Sequence, residues 1–337
     1  MRILAFESSC DDTAVAVTEG RRVIASKTAS QVEEHILYGG VVPEIASRRH
    51  IEAISNLYTT VMTEANLTLD DIDAIAVTYA PGLIGSLLVG VGFAKGLAFA
   101  ANKPLIPVHH LRSHIAANYI TGADLKPPFL ALVVSGGHSH LVDVSDYTTF
   151  KVIGRTRDDA AGECFDKTGR AMGLPYPGGV HLDKIADNGD SSKYLLPKPH
   201  VEGNPLDFSF SGLKTAVINL LHNAQQKGEE IICEDVAASV RKTVCDILID
   251  RTFKALDTLP YKTLVIAGGV SANSELRRRM TEECEKRGID LYIPDLSLCG
   301  DNAAMVGVQG YYEYQSGKTA NADLNAYATM DIQNPVY

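Results

Sequence analysis

The chain has 337 residues, of which 45% are hydrophobic and 21% are charged, and its net charge is -10. This composition predicts a well-packed soluble protein of two domains, and it argues against a disordered tail or a wholly basic protein that coats nucleic acid. The six cysteines form no C-x-x-C pair, which argues against a zinc ribbon or an iron–sulfur cluster and is typical of reduced cytosolic thiols.

The first residues and one apolar stretch bear on the location of the protein. The N-terminus passes straight into a strand-like run, without the basic and apolar regions of a signal peptide. Residues 83–101 are apolar enough for a membrane helix, but Lys95 and four glycines interrupt them. We therefore expect a buried helix here, a cytoplasmic protein and no membrane association.

The first 125 residues predict the element order βββαβαβα. Three short runs rich in Ile, Val, Ala and Thr predict an antiparallel meander, and Pro43 opens the helix that follows it. The last helix of this series contains two histidines. The predicted strands are residues 2–8, 13–18, 22–29, 74–78 and 105–108, and the predicted helices are residues 43–65, 83–101 and 108–120.

A similar order returns after Lys126, Pro127 and Pro128, which break the pattern as a linker would. The later predicted strands are residues 129–135, 140–144, 150–155, 263–267 and 291–293. The later predicted helices are residues 164–172, 182–188, 212–226, 235–256 and 274–287, with a last helix from Asp301.

Two lobes of this order, related by duplication, predict an α/β fold of the actin, Hsp70 and sugar-kinase type. We expect an N-terminal lobe at residues 1–125 and a C-terminal lobe at residues 126–337, with the final helix free to pack back toward the N-terminal lobe. A nucleotide would then bind in the cleft between the lobes, facing the first hairpin turn of each. Chance patterning of strands is the alternative explanation of the repeat.

His110 and His114 stand four residues apart, so they share one face of the predicted helix. Two neutral imidazoles and one distant carboxylate would form a facial metal site suited to iron(II) or zinc. The alternative is that one histidine caps a strand end and the other is an ordinary half-buried side chain. Leu111 stands where an H-E-x-x-H sequence has its glutamate, so peptidase chemistry is disfavoured. Asp301, at the start of the last helix, is the candidate third ligand, with a helix N-cap as its alternative.

Two glycine-rich turns are candidates for contacts to a phosphate and a nucleoside. Ser135, Gly136, Gly137 and His138 form a strand-to-strand turn whose backbone amides can face an anion, although a plain glycine hairpin is the alternative. Residues 267–273 join a buried strand to a helix, where glycines and helix N-terminal amides can approach a ligand. Neither a Walker A sequence nor a Rossmann glycine turn is present in the sequence.

Several motifs together resemble one family, the tRNA adenosine threonylcarbamoyltransferases of bacterial type, a group once taken for sialoglycoprotein endopeptidases. The similarity runs nearly from end to end. It is carried by residues 7–12, 79–83, 110–114, 133–138, 162–167, 176–179, 208–214, 268–273 and 301–302.

The resemblance implies a set of site residues. The implied metal ligands are His110, His114 and Asp301, with Fe²⁺ expected first and Zn²⁺ as the alternative. The implied substrate contacts are Val134, Ser135, Gly136, Gly137, His138, Asp166, Gly179, Asp183 and Asn273. Asp166 and Asp183, taken alone, could equally be solvated helix charges.

The sequence departs from the family in two places. Leu111, Arg112 and Ser113 stand where the family has Met-Glu-Gly, and Asp12 replaces a glutamate. The first change predicts an inverted charge beside the metal.

The implied reaction transfers a threonylcarbamoyl group from threonylcarbamoyl-AMP to the exocyclic amine of adenosine 37, in tRNAs that read codons beginning with A, and releases AMP. An ATP- or AMP-type nucleotide is the expected ligand. Asp11, in the first hairpin turn, could accept the proton of the attacking amine, or could serve the structure of that turn. The implied partners are tRNA, an inactive paralogue of the same fold and a small P-loop ATPase.

Two other functions stay open at this point. A small-molecule kinase of the same fold would transfer phosphate from ATP without tRNA, although the paired histidines argue against it. A non-catalytic scaffold of a tRNA-modifying complex is disfavoured because the metal ligands are all present.

Overall fold

A computed structural model describes residues 1–199 and 201–335. In chain order its strands are β1 (Arg2–Glu7), β2 (Asp12–Glu19), β3 (Arg22–Ser30), β4 (Ala74–Ala80), β5 (Leu105–His109), β6 (Phe129–Val134), β7 (Ser139–Asp146), β8 (Thr149–Arg155), β9 (Thr263–Ala267) and β10 (Asp290–Tyr292). Its helices are α1 (Val32–Ile36), α2 (Pro43–Ala65), α3 (Ile84–Ala101), α4 (His110–Ala116), α5 (Asn118–Thr121), α6 (Ala161–Ala171), α7 (Gly178–Ala186), α8 (Ser211–Lys227), α9 (Cys233–Leu256), α10 (Ser274–Arg287), α11 (Leu296–Cys299) and α12 (Ala303–Gln315).

The predicted long elements are present, and the differences are short or lie at helix ends. The sequence pattern did not predict α1, α11 or the 3₁₀ turns Leu69–Asp71 and Gly269–Ala272. The one helix predicted at residues 108–120 is divided into α4 and α5 at Ala117. The last helix begins at Ala303 rather than Asp301, because Asn302 is its N-cap and accepts a hydrogen bond from the Met305 amide at 2.9 Å. The N-cap role considered for Asp301 is therefore wrong.

The chain forms two compact units that are not continuous in sequence. Unit 1 contains residues 1–127, residues 144–151 and the described chain from Pro294 onward, and unit 2 contains residues 128–143 and 152–293. Helices α11 and α12 belong with the first 127 residues, and the sequence analysis had left the final helix free to pack toward that lobe. The lobe bounds at residues 1–125 and 126–337 stay a prediction.

The two sheets have the same strand order. In unit 1 the order is β3-β2-β1-β4-β5, and in the second sheet it is β8-β7-β6-β9-β10. β1 runs antiparallel to β2 and parallel to β4, and β6 runs parallel to β9. Counted within each half of the chain, both sheets therefore have the strand order 3-2-1-4-5. The repeat seen in the sequence is thus present in the structure.

The central strands β1 and β4 of the unit 1 sheet are buried on both faces, as their nearly continuous apolar sequences require, whereas the edge strand β3 is partly exposed. Side chains alternate along β1, so Leu4 and Phe6 pack toward α2 and α3 while Ile3 and Ala5 pack toward α12. Among the described helices, α3 is the one whose length and apolar composition would suit a membrane span. It contacts α2 and β4 within unit 1, but only six of its 18 residues are buried, so the expectation of a buried helix is wrong.

Helix α12 lies close to the sheet because both surfaces carry small residues. The sheet face beneath it is rich in alanine, and a Cβ atom on Gly310 would stand 2.9 Å from the Cβ of Ala76. A Cβ atom on Gly307 would stand 2.6 Å from Oγ1 of Thr18. The approach of α12 to the sheet therefore depends on these two glycines.

We expect Gly310→Leu to lower the free energy of unfolding by about 1–3 kcal/mol, because the new side chain would push α12 away from Ala76. The matched control is Gly96→Leu, at an exposed helical glycine of α3 with no atom within 4 Å of its added Cβ. That control should raise the free energy of unfolding by up to about 1 kcal/mol. Urea denaturation of both variants is the measurement, and equal midpoints would contradict the packing of α12.

Candidate functional site

His110 and His114 lie on one face of α4, which follows β5 without a loop. Their rings meet edge to face, with centroids 4.6 Å apart, and the two Nε2 atoms are 3.2 Å apart. His110 is 8% exposed and His114 is 1% exposed. Two buried imidazoles therefore point their Nε2 atoms at the same small space.

Asp301 reaches this space from the other end of the chain. Its Oδ1 atom lies 3.1 Å from Nε2 of His114 and 3.5 Å from Nε2 of His110. Asn302, and not Asp301, is the N-cap of α12. The three side chains of unit 1 thus bring two nitrogens and one oxygen together, with every pair of ligand atoms within 4.8 Å.

The spacing of these three atoms fits one divalent cation. Bonds from zinc to imidazole nitrogen or carboxylate oxygen are about 2.0–2.2 Å long, so donors that share one metal stand about 3–3.5 Å apart. The observed distances of 3.1, 3.2 and 3.5 Å lie in that range. Two imidazoles and one carboxylate are ligands that suit iron(II) and zinc, and this donor set leaves other coordination positions open.

Glu7 orients His110 from behind. Its Oε2 atom lies 3.1 Å from Nδ1 of His110 and accepts a hydrogen bond from Thr78 at 2.6 Å, and its Oε1 atom accepts from the Ser9 amide at 2.6 Å. A proton held on Nδ1 by this carboxylate leaves Nε2 as the lone-pair donor that a metal needs. Glu7 is fully buried, and no role could be assigned to it from the sequence pattern.

The electrostatics of this cluster favour a cation. Burial opposes protonation of His110, but the Asp301 and Glu7 carboxylates outweigh it and raise the pKa of His110 to about 9. Burial also opposes ionisation of Glu7, but the charge of His110 and its hydrogen bond lower the pKa of Glu7. The carboxylates thus draw positive charge into the space between the ligands.

Arg112 does not place a positive charge beside the metal ligands, contrary to the expectation from the sequence. It lies two residues from each histidine, on the reverse face of α4, because successive helical residues are about 100° apart. Its guanidinium forms a buried ion pair with Glu313 of α12 at 2.9 Å.

The first hairpin turn carries Asp11 and Asp12 near this cluster. Burial, together with the charge of Asp301, raises the pKa of Asp11. Burial also raises the pKa of Asp12 to about 7, with Asp301 and Asp11 adding to the effect. One Asp12 oxygen, Oδ1, is buried without a partner in the described parts of the chain. This end of the sheet therefore concentrates negative charge.

Unit 2 contains a cavity of about 320 Å³, within the size range of small-molecule sites. Five of the nine expected substrate contacts line it: Gly136, Asp166, Gly179, Asp183 and Asn273. Three further lining residues, Gly269, Val270 and Ala272, belong to the turn at residues 267–273 that the sequence marked as a ligand contact. The remaining lining residues had no role assigned from the sequence: Gly162, Phe165, Pro177 and Val180. The cavity thus combines an apolar wall with a few polar groups.

The turn between β6 and β7 borders this cavity. Ser135 closes the turn, because its amide donates to the His138 carbonyl at 2.8 Å and its Oγ accepts from the His138 amide at 3.2 Å. Gly136 and Gly137 are exposed, and a Cβ atom on either would meet nothing within 4 Å. Their amides have no acceptor within residues 1–199 and 201–335, so they can donate to an anion.

The turn after β9 depends on Gly268. This residue has φ +90°, and an added Cβ would stand 2.4 Å from the carbonyl oxygen of Val134. Only glycine fits such a conformation and such a close approach. The backbone of Val134 thus packs directly against this turn, but Val134 is not among the residues that line the cavity.

Asp183 is held rigidly at the cavity wall. Its Oδ1 atom accepts from Asn273 at 2.9 Å, from Arg241 at 2.9 Å and from the Ser274 hydroxyl at 3.0 Å. Its Oδ2 atom accepts from the Ser274 amide alone, at 2.9 Å, among the described residues. Oδ2 therefore keeps acceptor capacity for a ligand hydroxyl. Arg241, which the sequence analysis missed, is 8% exposed and also pairs with Asp187.

Asp166 and Asn273 use part of their hydrogen-bonding capacity inside unit 2. Asp166 Oδ1 accepts from the Gly179 amide at 2.8 Å, which joins α6 to the first turn of α7. Asn273 is the N-cap of α10, where its Oδ1 accepts from the Leu276 amide at 3.0 Å. Both side chains are thus fixed in orientation where they meet the cavity.

Comparison with solved structures shows the fold class. HypF in its phosphate- and nucleotide-bound form is similar with a TM-score of 0.62 at 14% identity, over 94% of this chain and 46% of that one. The ROK hexokinase of Thermus thermophilus is similar with a TM-score of 0.51 at 14% identity, over 94% of this chain and 100% of that one. The predicted α/β class of the actin, Hsp70 and sugar-kinase type is confirmed.

Comparison of the sequence then shows the family. A family model described as tRNA N6-adenosine threonylcarbamoyltransferase matches residues 22–308. A protein of that name from Clostridium botulinum (strain Kyoto / Type A2) is 53% identical over 333 residues, which are 98% of each chain. The chain belongs to the tRNA N6-adenosine threonylcarbamoyltransferase family, and the resemblance stated from the motifs is confirmed.

We expect the stability of the protein to depend on the charge of Asp12. Between about pH 4 and pH 7 the folded state holds a proton on Asp12 that the unfolded state has lost, so this residue lowers stability as pH rises through that window. Asp12→Asn should therefore change little at pH 4 and raise the free energy of unfolding by about 1–3 kcal/mol at pH 8.

Urea titrations of chelator-treated protein at the two pH values measure this difference. Asp70→Asn, at an exposed position of the same unit, is the control. Its effect on the free energy of unfolding should be the same at both pH values. An Asp12→Asn effect that is equal at pH 4 and pH 8 would contradict the buried charge.

The family resemblance implies that this cavity binds adenylate, and on that expectation Gly137→Val and Gly269→Val should fold and weaken the binding. A side chain at either position projects into open space beside the cavity, where it would occupy the volume of a ligand without meeting protein atoms. Calorimetric titration with AMP should show a loss of at least about tenfold in affinity. Gly92→Val, at an exposed glycine of α3 with equal free space, should bind as the wild type does.

Proposed function

We propose that the protein transfers a threonylcarbamoyl group from threonylcarbamoyl-AMP to the exocyclic amine of adenosine 37 in tRNAs that read codons beginning with A, and releases AMP. The observation that carries this proposal is the convergence of His110 Nε2, His114 Nε2 and Asp301 Oδ1 within 3.1–3.5 Å in a member of this family. The cavity of unit 2 adds a site of suitable size and lining for the nucleotide part of the donor.

In this proposal unit 1 holds the metal. His110, His114 and Asp301 are its ligands, Fe²⁺ is the first expectation and Zn²⁺ the alternative. When bound, the metal supplies Lewis-acid stabilisation to substrate oxygens at its remaining positions. Glu7 keeps the His110 ring in its ligand orientation through Nδ1.

Unit 2 binds the adenylate in this proposal. The Gly136 and Gly137 amides donate to the phosphate, which needs hydrogen bonds as it becomes the leaving group. Asp183 Oδ2 accepts from a hydroxyl of the ribose, since one of its acceptor positions is free. The apolar side chains of Phe165, Val180 and Val270 cover the base.

Asp11 is the proposed acceptor of the proton that the attacking amine loses. Burial raises its pKa, which makes its carboxylate a stronger base than a solvated aspartate. Acyl transfer to nitrogen requires no covalent nucleophile from the protein, and a base at the first hairpin turn is sufficient.

The other expected properties follow from the family. We propose that tRNA, an inactive paralogue of the same fold and a small P-loop ATPase are its partners, and that it acts in the cytoplasm. The nucleotide cleft expected between the lobes stays a prediction.

The test supplies the protein and these partners with threonylcarbamoyl-AMP and unmodified tRNA, and measures labelled tRNA and released AMP. We expect transfer with the wild type, and a loss of at least about a hundredfold in His110→Ala, His114→Ala and Asp301→Ala, together with lower metal content by elemental analysis. The fold should survive these changes, because both cores are large. No proteolysis is expected, since Leu111 occupies the glutamate position of H-E-x-x-H.

His222→Ala is the matched control, because His222 is exposed on α8. It should keep both metal and transfer activity. Full transfer by a metal-free His110→Ala/His114→Ala protein would remove the metal from the mechanism. Phosphate transfer from ATP to a sugar, with no modification of tRNA, would replace the proposal with a kinase.

A further inference from the structure

Arg112 joins three segments of unit 1 behind the metal ligands. Its side chain is 1% exposed, and its Nη1 atom donates to Oε1 of Glu313 at 2.9 Å. Its Nε and Nη2 atoms donate to the carbonyl of Ile332 at 3.0 and 2.6 Å, and its guanidinium carbon lies 4.6 Å from the centre of the Phe150 ring. A planar guanidinium that donates from all three of its nitrogens therefore joins α4 to α12 and to the chain near residue 332.

Glu313 is an equally constrained partner. It is 1% exposed, and its Oε1 atom also accepts from Gln309 at 2.9 Å while its Oε2 atom pairs with Lys318 at 3.1 Å. Removing Glu313 would take this carboxylate away from the buried Arg112 guanidinium, and removing Arg112 would leave Glu313 paired with Lys318 through its other oxygen, so the pair favours one arrangement of the two helices.

These two helices determine the distances within the metal centre. Helix α4 carries His110 and His114, and Asp301 immediately precedes the N-cap of α12. Any shift of α12 along α4 changes the separations of 3.1 and 3.5 Å between the Asp301 oxygen and the two imidazoles. A metal site needs its ligands held to within about 0.5 Å, which requires such support.

We propose that Arg112 is a positioning residue for the metal centre: through Glu313 it holds α4 and α12 at the separation at which His110, His114 and Asp301 bind one cation. This inference rests on the metal site of the proposed function. Arg112 is one of the residues at which the sequence departs from the family pattern. Its proposed role is to hold two helices in place, and it does not put a positive charge next to the metal ligands.

Binding of Co²⁺ tests the proposal, because the d–d absorption bands of this ion report its coordination geometry. We expect Arg112→Met and Glu313→Gln each to weaken Co²⁺ binding by about tenfold or more, and to change the intensity of these bands. Arg112→Lys keeps the charge opposite Glu313 but not the paired bonds to Ile332, so it should recover part of the affinity.

The control for loss of stability alone is Ile54→Ala, which removes buried side-chain volume where α2 packs in the same unit. It should lower the urea midpoint and leave the Co²⁺ affinity and spectrum unchanged. A wild-type spectrum and affinity in folded Arg112→Met and Glu313→Gln would overturn the proposal, as would an equal loss of affinity in Ile54→Ala.

The same titration separates this inference from the proposed function. If the wild type bound Co²⁺ no better than His110→Ala/His114→Ala, the metal centre itself would be wrong. If the wild type bound Co²⁺ through these histidines and the two ion-pair variants bound it equally well, only the positioning role of Arg112 would be wrong.

Discussion

The contact between α12 and the alanine-rich face of the unit 1 sheet is the constraint on which the metal centre depends. Gly307 and Gly310 let the helix approach the strands so closely that added Cβ atoms would stand 2.6 and 2.9 Å from Thr18 and Ala76. A helix is stiff over its length, so this contact also fixes its first turn, and with it Asp301. A ligand from the far end of the sequence thus reaches two histidines through the packing of small residues.

The electrostatics of the metal centre and the positions of its ligand atoms both favour a bound cation. The carboxylates of Glu7 and Asp301 contact the imidazoles, and burial together with neighbouring carboxylates raises the pKa values of Asp11 and Asp12. A bound cation would relieve this repulsion and satisfy both Nε2 atoms. Glu7 adds the hydrogen bond that selects the tautomer of His110.

The cavity of unit 2 is preorganised by glycine-rich turns and by hydrogen bonds to Asp183. Glycine and proline form much of its lining, so few flexible side chains face a ligand. A hydrogen bond from Arg241 holds the Asp183 carboxylate in place. Asp183 in turn holds Asn273 and the start of α10. A ligand that meets these groups loses little of its binding free energy to their ordering.

The sequence by itself determined the order of the long strands and helices, the repeat, the shared face of His110 and His114, and, through its motifs, the family. These are local properties, since periodicity, turn residues and spacing act within a few residues. Only the tertiary structure decided that α12 belongs to unit 1, that Glu7 stands behind His110, and that Arg112 turns away from the ligands toward Glu313. Burial and pairing between residues far apart in the chain have no local signal, because they arise only when separate elements pack together.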